Sequence, residues 1–169
     1  ISEIYVSTDN IETAKIAKDN GGLAPFIRPI ELSSEDVGLP DVLKYSVEEI
    51  EKIRKVDLVV IVEENYPFRP KGLPNKLINN IIEGGYDTVC ASIIEERSIW
   101  LDTQETISSI GDNLMGSRST KLEKIHINLF GLGAVTYVDS IRSKKILSNK
   151  VGLSSVPAYP YSFQINENS

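Results

Sequence analysis

One cysteine, one histidine, one methionine and one tryptophan are all that the 169 residues contain of those four types. The lone Cys90 can close no intrachain disulfide and forms no Cys-x-x-Cys pair for zinc or redox chemistry. The lone His126 removes histidine-rich metal sites, and no serine- or thiol-hydrolase signature surrounds it. Long apolar runs are also missing. The longest, Leu58 to Val62, lies between Asp57 and Glu63 and is far too short for a membrane span. No charged-then-apolar leader is visible, so a cytoplasmic protein without membrane contact is expected. Positive charge is in deficit, with 18 Lys and Arg against 24 Asp and Glu and a net charge of −6. Nucleic acid, whose phosphates need a basic face to displace their counterions, is not an expected partner. A local basic pocket for one nucleotide remains compatible with that balance.

What is present describes one soluble domain, 41% hydrophobic and 25% charged. Ser2–Ser7 alternates as a short strand, and Asp9 stands three residues before Glu12 in the spacing of a capping box. A helix follows through Ile11, Ala14 and Ala17 until Gly21-Gly22 stops it. Pro25 to Pro29 is held extended by its two prolines. Pro40 suits the first turn of a second helix, with Leu43, Val47 and Ile50 as its apolar stripe. Asp57–Val62 reads as a strand covered on both faces. Asn75–Glu83 reads as a third helix closed by Gly84-Gly85, and Tyr86–Ile94 as a buried strand in which Cys90 is a small core residue. This alternation predicts an α/β, Rossmann-like fold whose sheet is mostly parallel and flanked by helices.

Beyond it, Ser98–Lys124 breaks the pattern, with short β-like pieces followed by a polar stretch from Gly111, as in a peripheral insertion. Trp100 within it suits either a core anchor or an interface. His126–Val138 reads as one or two strands, with His126 on the face opposite Ile125 and Ile127. A short helix over Asp139–Leu147 and a last strand near Ser162–Ile165 complete the expectation.

Val6–Asn10 (VSTDN), Pro25–Leu32 (PFIRPIEL), Asp41–Ile50 (DVLKYSVEEI), Asp57–Pro70 (DLVVIVEENYPFRP) and Gly84–Ser92 (GGYDTVCAS) occur in an order that resembles the cytidylyltransferases making CMP-activated acidic sugars. CMP-sialic acid (acylneuraminate) synthetase is the best-known member. The resemblance is good to about residue 95 and thinner beyond, where Gly131–Val138 (GLGAVTYV) carries it. It implies a nucleotidyltransferase fold, attack by a sugar hydroxyl on the α-phosphate of CTP, release of pyrophosphate, and Mg²⁺ as cofactor. It also implies a homodimer, joined through the segment that Ser98–Lys124 matches. The same resemblance admits a related enzyme with another base or sugar, such as a deoxyoctulosonate (KDO-type) synthetase.

Ligands in open α/β sheets sit beyond the carboxyl ends of the strands. The turns at Ser7–Asn10 and Glu63–Arg69 are therefore the expected substrate turns. Arg28 and Arg69 keep the family's arginines and would take carboxylate or phosphate in a guanidinium fork; each also reads as a plain solvated arginine. Ser7 and Asp9 would contact substrate at the first turn, or simply complete a helix cap.

The sequence also departs from the family. The family's Gln-Pro-Thr-Ser is replaced by Glu63, Glu64, Asn65 and Tyr66, which makes Glu63 and Glu64 candidate metal ligands. The family's metal-holding Asp-Ile-Asp aligns with Gln164-Ile165-Asn166, whose amides bring no negative charge. The opening β-loop-α unit that wraps the triphosphate, roughly 30 residues, is expected upstream of Ile1. A non-catalytic sugar- or nucleotide-binding module on the same fold is the alternative these departures leave open.

Overall fold

The computed structural model describes residues 1, 3–34, 36–103, 105–110, 124–147 and 150–165. Residues 4–6 run extended and pair in parallel with Leu23, through Val6 N–H to Leu23 O and Leu23 N–H to Ile4 O, both 2.8 Å. Between them runs helix α1 (Ile11–Asp19), and Gly21, at φ +83°, makes the turn out of it. Helix α2 (Leu39–Glu51) carries proline in its first turn, as expected. Strand β1 (Leu58–Ile61) follows, then helix α3 (Leu73–Gly84), which ends at Gly85 in the left-handed conformation. Strand β2 (Thr88–Glu95) is the spine of the molecule. A separate hairpin of β3 (Ile99–Asp102) and β4 (Ile107–Ile110) comes next, then β5 (Ile125–Asn128), β6 (Ala134–Tyr137), the short helix α4 (Val138–Arg142) and β7 (Val151–Ser155).

The α/β class holds, but the sheet is not mostly parallel. Of the pairs in the main sheet, β1–β6, β2–β6 and β2–β5 are antiparallel and β2–β7 is parallel. The reason lies in the 125–137 segment. Ala91 donates to Gly133 O and accepts from Leu129 N–H, so β5 and β6 lie end to end along one edge of β2. They form one reversed strand, interrupted by the Leu129–Gly133 loop, and its β6 half lies between β1 and β2. Continuous apolar runs announce burial on both faces, but they do not announce direction.

Two other expectations shift. The helix expected over Asp139–Leu147 stops at Arg142. No strand forms at Ser162–Ile165; the last strand among the described residues is β7, whose Gly152 and Ser154 face the core. The polar stretch from Gly111 lies outside the described residues except for Lys124.

Two layers cover the sheet. On one face, Leu73, Leu77 and Ile81 of α3 meet Val89, Ala91, Ile93, Leu132 and Val135, with Leu58 and Val60 at the margin. On the other, Val47 of α2 packs with Val138, Ile141 and Ile146, and Leu43 with Val59, Ile61 and Cys90. Side chains of this size each stabilise the fold by roughly 1.5–3 kcal/mol when fully buried. α2 also holds the N-terminal segment through the Ser46 hydroxyl donating to Ser7 Oγ (2.9 Å), and Arg54, beyond the helix end, forms an ion pair with Glu3.

Candidate functional site

The carboxyl end of β1 runs into the Glu63–Arg69 turn, which is bound to the Leu129–Gly133 loop. Glu63 N–H donates to Gly131 O at 2.8 Å. Arg69 closes the same junction, with Nε donating to Leu132 O (2.7 Å) and Nη2 to Glu63 O (3.1 Å) and Gly131 O (3.4 Å). Burial makes this guanidinium somewhat easier to deprotonate than an ordinary arginine. Gly131 is required by close approach, since a Cβ there would fall 2.4 Å from Glu63 Oε2 and 2.8 Å from Tyr66 Cε2.

The turn concentrates acceptors. Burial, and after it the neighbouring Glu64, pushes the Glu63 carboxyl above the usual range. Tyr66 is buried, and its phenol is raised by that burial and then by Glu63. Asn65 Oδ1 is buried with no hydrogen-bond partner. The tail comes to the same place: Ile165 N–H donates to Asn65 O at 2.8 Å, and Phe163 lies against Phe68 with ring centroids 6.1 Å apart. The structure thus brings Glu63, Glu64 and the Gln164 segment together. Asn166, the remaining candidate ligand, lies outside the described residues. Among the described residues no three of His, Cys, Asp and Glu gather as a metal cluster. Two carboxylates and an orphaned amide oxygen are nevertheless hard donors of the kind Mg²⁺ takes alongside waters and phosphate.

A second group forms at the first turn. Arg28 N–H donates to Thr8 O (2.8 Å), fixing its backbone beside that turn. Its Nε donates to Ser33 Oγ (3.0 Å), and its Nη2 lies 3.8 Å from Asp9 Oδ1. The side chain keeps 22% exposure, so it remains reachable. Asp9 is not the helix cap. Asn10 is, its Oδ1 accepting from Glu12 N–H (2.8 Å) and Thr13 N–H (3.1 Å). The capping-box spacing pointed one residue too early, and Asp9 is left to face Arg28. Ser7 Oγ accepts from Ser46, which ties this turn to α2.

A third polar group was invisible as such in the sequence. The fully buried Ser92 lies 3.2 Å, Oγ to Nδ1, from His126, and the side chain of Asn128 hydrogen-bonds the Cys90 thiol. Burial pushes that thiol up to about 11, against the opposing pull of Asn128, which keeps Cys90 a core residue as expected. Strict alternation along β2 and β5 carried the signal: Cys90, Ser92, His126 and Asn128 share one face.

No family model and no curated protein matches this sequence. Among solved structures, CMP:2-keto-3-deoxy-manno-octonic acid synthetase, complexed with CTP, is similar over 92% of this chain and 73% of its own, with TM-score 0.59 and 12% identity. No helix among the described residues is long and apolar enough to cross a membrane. In fold, this chain resembles that CMP:2-keto-3-deoxy-manno-octonic acid synthetase.

Proposed function

We propose that this protein joins cytidine nucleotide to an acidic sugar of the sialic or octulosonic acid type. The observation that carries the reading is the likeness, over nearly the whole chain, to a synthetase complexed with CTP. In the reaction a sugar hydroxyl attacks the α-phosphorus of CTP. A P–O bond to the sugar forms, the bond to the β-phosphate oxygen breaks, and pyrophosphate leaves with the electron pair while the hydroxyl proton passes to solvent. Such chemistry is mostly positioning and charge neutralisation. Arg28, held by Ser33 and still exposed, suits an anionic group of either substrate. Mg²⁺, for which Glu63, Glu64 and Asn65 Oδ1 offer oxygens, would neutralise phosphate charge at the second turn.

Asp57 O and Glu63 N–H bond toward β6 and its loop, so Leu58 and Val60 turn their backbone groups to the opposite edge. Tyr5 likewise turns away from Leu23.

Pyrophosphate release with CTP and Mg²⁺, across a panel of acidic sugars, is the expected result and the test of this reading. A specific observation favours a second reading, the non-catalytic module: the Arg69 fork is committed to three backbone carbonyls. Binding of sugar or nucleotide without turnover would establish that module instead.

Dimerisation is a further part of this reading. The β3–β4 hairpin stands apart from the main sheet with Trp100 (60%) and Ile107 (67%) exposed, and an isolated two-stranded hairpin is marginal in water. Burial against a second copy of the hairpin would stabilise it. Sedimentation of the wild type as a dimer, and of Trp100→Ser as a monomer, is the expected result; a monomeric wild type at high concentration would end this reading.

A further inference from the structure

We propose that the outer edge of β7 takes an extended peptide strand of a partner protein, whose arginine enters the cleft between β7 and α3. Val156 N–H donates to Ser92 O (2.8 Å) and Lys150 O accepts from Asp87 N–H (2.9 Å). Gly152 and Ser154, in phase with those two residues, therefore turn their backbone groups to β2. Val151, Leu153 and Ser155 turn theirs outward, and among the described residues no strand lies beyond them. Lys76 Nζ reaches from α3 to Ser155 O (3.1 Å), which leaves the edge open from Val151 to Leu153. Such an edge is a template for one more strand, with main-chain hydrogen bonds supplying the affinity.

The cleft beside the edge selects the side chain. It measures about 400 Å³ and is lined by Asn80, Glu83 and Gly84 of α3 with Tyr86, Gly152 and Leu153. The Tyr86 ring is pressed against Gly152, where a Cβ would fall 2.7 Å from it. Neither Asn80 nor Glu83 has an ion pair or a side-chain hydrogen bond among the described residues. The nearby cations are placed elsewhere, Lys76 on Ser155 O and Lys150 over Gly85 beyond the end of α3. Register sets Gly152 beside Val89 and Ser154 beside Ala91, so both face α3. Ser154, only 3% exposed, has an Oγ with no hydrogen-bond partner. A free carboxylate, a free amide and an orphaned hydroxyl along one strip suit a planar group with several donors, the guanidinium of arginine. The net charge of −6 draws basic segments toward the chain. On the other face of the sheet the exposed Leu153 side chain offers an apolar contact. Neighbours in a strand point to opposite faces, so the peptide carries an apolar residue next to its arginine.

This surface is independent of the acidic-sugar reading. The probe is the fluorophore-labelled peptide acetyl-Thr-Val-Arg-Val-Thr-amide, titrated into the protein. Binding should shift the amide resonances of Val151 and Leu153. Glu83→Lys, at an exposed position, should weaken binding about tenfold. Leu153→Pro removes one outward N–H and no bond of the β2–β7 ladder, so it should keep the fold and lose the peptide. A probe methylated on the backbone nitrogens that face β7 should fail as well, and it tests the edge without altering the protein. The assignment is overturned if the folded protein leaves the probe unbound or if Glu83→Lys binds it normally. It is equally overturned if N-acetyl-arginine amide binds as tightly as the peptide, which would make the cleft a small-cation site. Dissociation of a dimer of this chain by Leu153→Pro would give the edge to a second copy and overturn it too.

Discussion

Arg69→Ala is expected to cost about 3 kcal/mol of folding stability, and more than any loss of anion affinity would explain. Its Nε and Nη2 donate to the carbonyls of Leu132, Glu63 and Gly131, and Leu132 is fully buried. Hydrogen bonds from a charged donor contribute roughly 1.5–3 kcal/mol each, with losses that do not simply add. Truncation leaves those carbonyls in a site that water enters poorly. It also unties the Glu63–Arg69 turn from the Leu129–Gly133 loop. Arg69→Lys should recover only part of the loss, because an ammonium cannot span the carbonyls that the planar fork reaches. Urea unfolding with an unchanged slope measures this directly. An Arg69→Ala protein as stable as wild type, but deaf to CTP or to acidic sugar, would instead make Arg69 a ligand-binding arginine.

That contrast shows where sequence reasoning reaches and where it stops. Residue type and position marked Arg69 as a charge placed at the end of β1, but the Leu129–Gly133 carbonyls approach it from 62 to 63 residues away. Nothing local encodes such a contact. Burial was legible wherever the pattern was unambiguous: Leu77, Ile81 and Val89 are buried as periodicity and apolar runs require. Strand direction was not, because a reversed strand buried on both faces looks like a parallel one. β7 is illegible because its alternation is inverted, with Leu153 exposed and Gly152 and Ser154 buried; there small residues are needed, since a Cβ at Gly152 would meet the Tyr86 ring at 2.7 Å. Spacing alone marks Asp9 as a cap, whereas the adjacent Asn10 offers the same chemistry one residue nearer the helix. The pairing of His126 with Ser92 needed register, which only the folded sheet supplies.

The core beneath the site makes the second large prediction, because α3 supports the Leu129–Gly133 loop from below. Leu77 has no exposed surface, and a Cβ built on Gly133 would lie 3.0 Å from Leu77 Cδ1 and 3.3 Å from Leu73 Cδ2. Leu77→Ala should therefore destabilise by about 3 kcal/mol, from lost transfer energy and from the cavity left under the loop. Gly133→Ala should cost about 1–3 kcal/mol by overpacking, not by backbone strain, because its φ of 171° is open to any residue. In the double variant the new methyl group enters the space that Leu77 vacates. The combined loss should then fall short of the sum by on the order of 1 kcal/mol, the sign expected for complementary volume changes in contact. Chemical denaturation of the four proteins closes the cycle. Strict additivity would mean that the loop and α3 relax independently, and that the loop position is set from above by Arg69 alone. A favourable coupling would mean that the core and the arginine clamp hold the same loop from its two sides.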